Sequence, residues 1–145
     1  MKKKDQTSRL YKDIQKNAQM GQGTVTHLLS SRPGKEMEES LRKQRAEYTA
    51  VNRKAAFELR KMGEKPKGLS FFEKRRTDMM VSLSLMGRND DRHMAQMLMN
   101  GSTMGLIDAQ KKLSDAPDAD KEARDLMQRL SDFEENTIKE MKPFL

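Results

Sequence analysis

The sequence predicts an all-α fold: a bundle of four long helices in two antiparallel hairpins, with a short crossover helix between them. Three observations carry this expectation. Lys, Arg, Glu, Gln, Met, Leu and Ala dominate the chain and Pro occurs only four times, a composition of helix formers. Apolar residues recur at intervals of three and four, which places them on one face of a helix. Clusters containing Pro or Gly cut these stripes into segments of helical length, and no run alternates in the manner of a strand.

Leu10, Ile14, Ala18, Gly21, Val25 and Leu28 form the first stripe, with Thr7 or Ser8 as its expected cap. Ser30-Ser31-Arg32-Pro33-Gly34 ends it. Met37, Leu41, Gln44, Tyr48, Val51, Ala55, Leu59 and Met62 form the second, and Gly63 stands where a left-handed residue closes a helix. A short Pro-Gly turn between two such stripes predicts an antiparallel hairpin. After the linker Glu64-Lys65-Pro66-Lys67-Gly68, Ser70 and Glu73 have capping-box spacing. They open a short third helix to about Met86, with Phe72, Met79, Leu83 and Met86 inward. Asp90 is the expected cap of a fourth helix, Asp91 to about Leu113. Pro117 suits the first turn of a fifth, whose stripe is Ala123, Leu126, Leu130, Phe133, Thr137 and Met141.

At 145 residues, 34% hydrophobic and 35% charged, the chain suits one domain, 1–145, with a lean core and an ionic surface. Residues 1–6 are expected to be a flexible basic start. There is no Cys, which excludes disulfides, thiolate metal sites and thiol nucleophiles. No apolar run follows Met1-Lys2-Lys3-Lys4, so no signal peptide is expected, and none reaches the ~18 residues of a membrane span. A cytoplasmic protein is the expectation by elimination. Residues 1–76 carry a net charge of +11 and residues 77–145 a net of −4. Such a split suggests either an anionic partner for the first half or mutual neutralisation of the halves.

Seven of the 13 Met lie between positions 79 and 104. The stretch from His93 to Asp108 reads as a methionine-rich helix built for burial, with Gly101 and Gly105 expected at a close helix–helix contact. Leu10-Tyr11-Lys12-Asp13-Ile14 with Met20-Gly21, the block from His93 through Gly101-Ser102-Thr103-Met104-Gly105 to Asp108, and Phe133-Glu134-Glu135-Asn136 together resemble an uncharacterised bacterial family of small ferritin-like helical bundles. The resemblance covers about residues 9 to 145 and is most specific over 93–108. It implies a ferritin-like four-helix bundle and no established activity. The family pattern has an acidic residue at the position of Gln96, which weakens a carboxylate site there.

A ferritin-type di-metal centre needs bridging carboxylates and a Glu-x-x-His pair on each of two helices. This chain has no Glu-x-x-His, and its only His are His27 and His93. His93, Glu47, Asp108 and Glu134 remain the candidates for a reduced metal site, set against the reading that His93 is a polar first-turn residue and the carboxylates are solvated. Asp108 falls on the face of Met97 and Gly101, where a partner such as Tyr11, Tyr48 or an Arg is expected. No Ser-His-carboxylate set and no phosphate loop is present. The basic first half, with Arg42, Arg45, Arg53 and Lys54 foremost, offers sequence-independent phosphate contacts, without a helix-turn-helix, a zinc finger or a stacking platform.

The expectation is therefore a non-enzymatic bundle without a cofactor, in a structural or protein-interaction role, self-association included. The alternative is a basic accessory protein that binds nucleic acid non-specifically. A degenerate metal-binding bundle is the third class.

Overall fold

The computed structural model describes residues 2–66 and 90–145, and all regular structure among them is helical. Helix α1 spans Lys3–Leu29, α2 Lys35–Lys61, α3 Asp91–Asp115 and α4 Lys121–Met141, and a 3-10 turn follows at Lys142–Phe144. The short helix expected between Ser70 and Met86 lies outside the described residues, so α3 and α4 are the fourth and fifth of the sequence reading.

Each α2 boundary follows from a local signal. Arg32 takes a positive φ of 57°, Pro33 follows, and Gly34 caps α2 in an extended conformation. Gly63 adopts φ 78°, its N–H donates to the Arg60 carbonyl, and that of Glu64 donates to the Leu59 carbonyl. This is the glycine-closed motif expected at that position. The Asp90 carboxylate accepts from the His93 backbone N–H at 2.7 Å and so caps α3 as anticipated.

Two boundaries differ from expectation, for one reason. Thr7 and Ser8 do not cap α1, which begins at Lys3 and takes in most of the start expected to be flexible. Tertiary contacts hold that first turn. The Gln6 side-chain oxygen accepts from the Asp118 N–H, the Thr7 hydroxyl oxygen accepts from the Asp120 N–H, and the Ser8 hydroxyl donates to Glu64. At the other side of those contacts, α4 begins at Lys121 instead of near Pro117. Residues 116–120 form the turn that α1 holds in place.

The same contacts orient the helices. The start of α1 meets the end of α2 (Ser8 and Lys12 on Glu64) and the start of α4 (Thr7 on Asp120). The Gly34 N–H, at the start of α2, donates to Asp91 at the start of α3. So α1 is antiparallel to α2, α3 is antiparallel to α4, and α2 and α3 start from the same end. The principal packings are α1 on α2 and α3 on α4, with α1–α4, α1–α3 and α2–α4 closing the bundle.

The predicted stripes form the core. Leu10, Ile14, Leu28, Met37, Leu41, Leu59, Met94, Met127, Leu130 and Met141 are fully buried, and Tyr48 is buried with them. Met is used as an adaptable core residue at four widely separated positions. The 93–108 segment is less buried than its composition suggested. Met97 and Met99 only flank the core, and Met104 is 72% exposed with Ile107 beside it at 54%.

Candidate functional site

The bundle interior contains a polar centre built by side chains of α2, α3 and α4, in space left by glycines of α1 and α3. Glu134 on α4 is 2% exposed. The Tyr48 hydroxyl, from α2, donates to both of its carboxyl oxygens, at 2.8 and 3.0 Å. Ser102 on α3 is buried and within hydrogen-bond reach of Glu134 and Tyr48. On α1, Gly21 leaves the space that the Tyr48 ring fills, for a Cβ there would collide with it. Gly105 on α3 does the same for the carboxyl, since a Cβ would lie 3.1 Å from Glu134 Cδ. Phe133 meets the edge of Tyr48 at 5.0 Å between ring centroids. Asn17 donates to the Gly105 carbonyl at 3.2 Å, tying α1 to α3 at this level.

Burial has an electrostatic consequence. It pushes the Glu134 carboxyl from its ordinary 4.5 up to about 7, with the Ser102 and Tyr48 hydroxyls pulling the other way. Burial, followed by the adjacent Glu134 charge, raises the Tyr48 phenol well above 10.0. Tyr48 is therefore a donor at all physiological pH, and Glu134 is the group that titrates. One turn further along the same faces, Gln44 Oε1 and Thr137 Oγ1 are buried without a hydrogen-bond partner among the described residues, so the interior stays polar beyond the carboxyl.

Among the described residues the four candidate metal ligands do not assemble into one site. Glu134 belongs to the centre just described. Glu47 lies on the α2–α4 surface in a two-point ion pair with Arg129, at 2.8 and 2.9 Å. His93 sits in the first turn of α3, its backbone N–H given to Asp90. Asp108 is half-buried, and Tyr48, one of its expected partners, is committed to Glu134. Among the described residues no three His, Asp or Glu side chains come together in a set that could hold a metal ion.

The two glycines also part company. Gly105 is the close-approach position. Gly101 is exposed, and among the described residues a Cβ there meets nothing within 4 Å. The cause is rotational: four residues turn the helix by about 40° past a full circle, enough to carry Gly101 off the α4-facing line.

The second feature is the outer face of α2. Its inner face is in the core, so Arg42, Lys43, Arg53, Lys54, Arg60 and Lys61 stand exposed, with Arg45 half-buried on the flank. Arg42 pairs with Glu38 at 2.9 Å and Lys54 with Glu58 at 3.0 Å. Lys43, Arg45, Arg53 and Arg60 have no carboxylate within ion-pair distance among the described residues. Phe57 stands in the same row, 53% exposed. The sequence reading missed it because a single Phe off the core stripe carries no periodic signal. The Lys74-Arg75-Arg76 run lies outside the described residues.

No protein-family model, no curated protein and no solved structure matches this chain.

Proposed function

We propose that this chain is a non-enzymatic, ferritin-like helical bundle that docks an anionic macromolecule on the outer face of α2. The arrangement supports the ferritin-like reading: the four long helices form two antiparallel hairpins, and the second and third of them start from the same end, as in that fold. The interior supports a structural role. The buried carboxyl is held by Tyr48 and Ser102, and among the described residues it has no set of neighbouring imidazoles and carboxylates of the kind di-metal chemistry requires.

One observation carries the docking role: Arg53 and Arg60 on the outer face of α2, with Lys43 and Arg45 toward its two flanks, have no carboxylate within ion-pair distance among the described residues. Surface cations so placed bind polyanions by releasing counterions, with a steep dependence on salt and no reading of sequence. The test is fluorescence anisotropy with heparin and with nucleic-acid duplexes between 50 and 200 mM salt. Combined reversal of Arg42, Arg45 and Arg53 to Glu is expected to abolish binding, and reversal at Lys139 and Lys142 to leave it near wild type. Equal effects from the two sets, or no complex at micromolar protein in low salt, would refute the reading.

Self-association is the second reading, and the exposed carboxylates of α4 favour it. Glu122, Asp125, Asp132, Glu135 and Glu140 face solvent and could receive α2 of another copy. Sedimentation velocity at low and high salt tests it: a dimer that dissociates in salt supports it, and a monomer at all concentrations refutes it.

A further inference from the structure

On α2, the four helical neighbours of Phe57, at three and four residues on either side, are Arg53, Lys54, Arg60 and Lys61. The aromatic ring is 53% exposed. Lys54 Nζ lies 5.7 Å and Lys61 Nζ 5.4 Å from the ring centroid, within cation–π range. Glu58, itself buried, holds both lysines, at 3.0 and 3.6 Å. Arg53 and Arg60 are left to face outward on either side of the ring. They are separated by seven residues, about 10 Å along the helix.

We infer that Phe57 is a stacking platform for a base of single-stranded nucleic acid, with Arg53 and Arg60 taking the phosphates on either side. This deepens the polyanion reading of α2 and rests on it. The chemistry favours a single strand over the other anionic partners. An exposed aromatic ring inside a cationic ring fits a ligand that is flat and apolar in the middle and anionic at both ends, and an unpaired nucleotide within a strand has that form. A duplex keeps its base faces stacked on one another and gives Phe57 nothing to cover. An anionic membrane requires a broad apolar face to insert, and the exposed apolar side chains of α2 are Phe57 and, two or more turns away, Ala50 and Ala46. An acidic protein surface would use the cations alone.

The test is anisotropy of the full chain with a labelled 20-mer of oligouridylate or oligothymidylate, beside a duplex of equal length, heparin, and vesicles containing anionic lipid. Phe57→Ala is expected to weaken single-strand binding roughly 5- to 100-fold, the range of one lost base–aromatic stack. Duplex and heparin affinities are expected to stay within about twofold, and the salt slope to be unchanged because the phosphate contacts remain. Phe57→Trp should restore or strengthen single-strand binding. Combined reversal of Arg53 and Arg60 to Glu should remove binding to all polyanions. Wild-type single-strand affinity in Phe57→Ala overturns the platform while leaving the polyanion reading intact. Loss of vesicle binding in Phe57→Ala with unchanged single-strand binding reassigns the residue to a membrane surface and also overturns it. Absence of binding to any polyanion by the wild type refutes the underlying reading itself.

Discussion

Glu134 makes the stability of the bundle fall as pH rises. Its carboxyl is raised from 4.5 to about 7 by burial, so the folded state favours the protonated form more than the unfolded chain does. A raised folded value contributes stability that is fully present below about 4.5 and is lost as the pH climbs through about 7. The gap between the two values corresponds to about 3 kcal/mol. About half of that is gone by pH 5.5, most of it by pH 7, and little changes above. Urea unfolding of wild type and Glu134→Gln between pH 4.5 and 8.5 isolates the effect, because every other titrating group is common to both. The amide keeps the shape of the side chain, accepts from Tyr48 and cannot ionise. The stability of Glu134→Gln relative to wild type should therefore rise by about 3 kcal/mol from pH 4.5 to 8.5. Tyr48→Phe should move the window to higher pH, since the Tyr48 hydroxyl is one of the groups holding the carboxyl down. Parallel pH profiles for wild type and Glu134→Gln would mean that water reaches the carboxyl and that the sealed centre described above is wrong.

Gly105→Leu should destabilise by about 1–3 kcal/mol through collision with Glu134, whereas Gly101→Leu should stay within about 0.5 kcal/mol; equal denaturation midpoints would refute the assigned difference. Asp90→Ala should cost about 1 kcal/mol by uncapping α3, and Asp90→Asn should recover most of it in the same melts. Gly63→Ala, at φ 78°, should cost about 1 kcal/mol, and no loss of stability would show that the end of α2 rearranges.

The helices were legible because their signals are local. The stripes of α1, α2 and α4 name buried residues almost without error, and Gly63 and Asp90 act as their positions imply. The start of α1 was misread because Thr7 and Ser8 look like caps and spend their side chains on residues more than fifty positions away. The end of α3 carries a device with no sequence signature: Arg124, eight residues on, donates to the carbonyls of Leu113 and Ala116 at 2.9 and 2.6 Å. For the interior centre, Glu134 and Gly105 were both singled out, yet for separate reasons, and Tyr48 was read as a core residue or a partner for Asp108. Periodicity places each of them on an inward face. It says nothing about which level of one helix meets which level of another, and that is what joins them.

The two features of α2 are connected by its geometry. One face carries Met37, Leu41, Gln44, Tyr48, Val51, Ala55 and Leu59 into the core, and Tyr48 in that row fixes α2 against α4 through Glu134. The Glu47–Arg129 pair on the rim repeats the attachment one residue away. A helix anchored so firmly on one side presents its other side as a rigid surface, and fixed cations lose less entropy on binding than cations on a mobile segment. Glu58 extends this logic to the outer face. Buried at the edge of the core, it holds Lys54 and Lys61 beside the Phe57 ring, and Arg53 and Arg60 are exposed with no ion pair among the described residues. The polar interior and the cationic exterior are therefore parts of one arrangement: the first sets the position of α2, and the proposed docking face depends on that position.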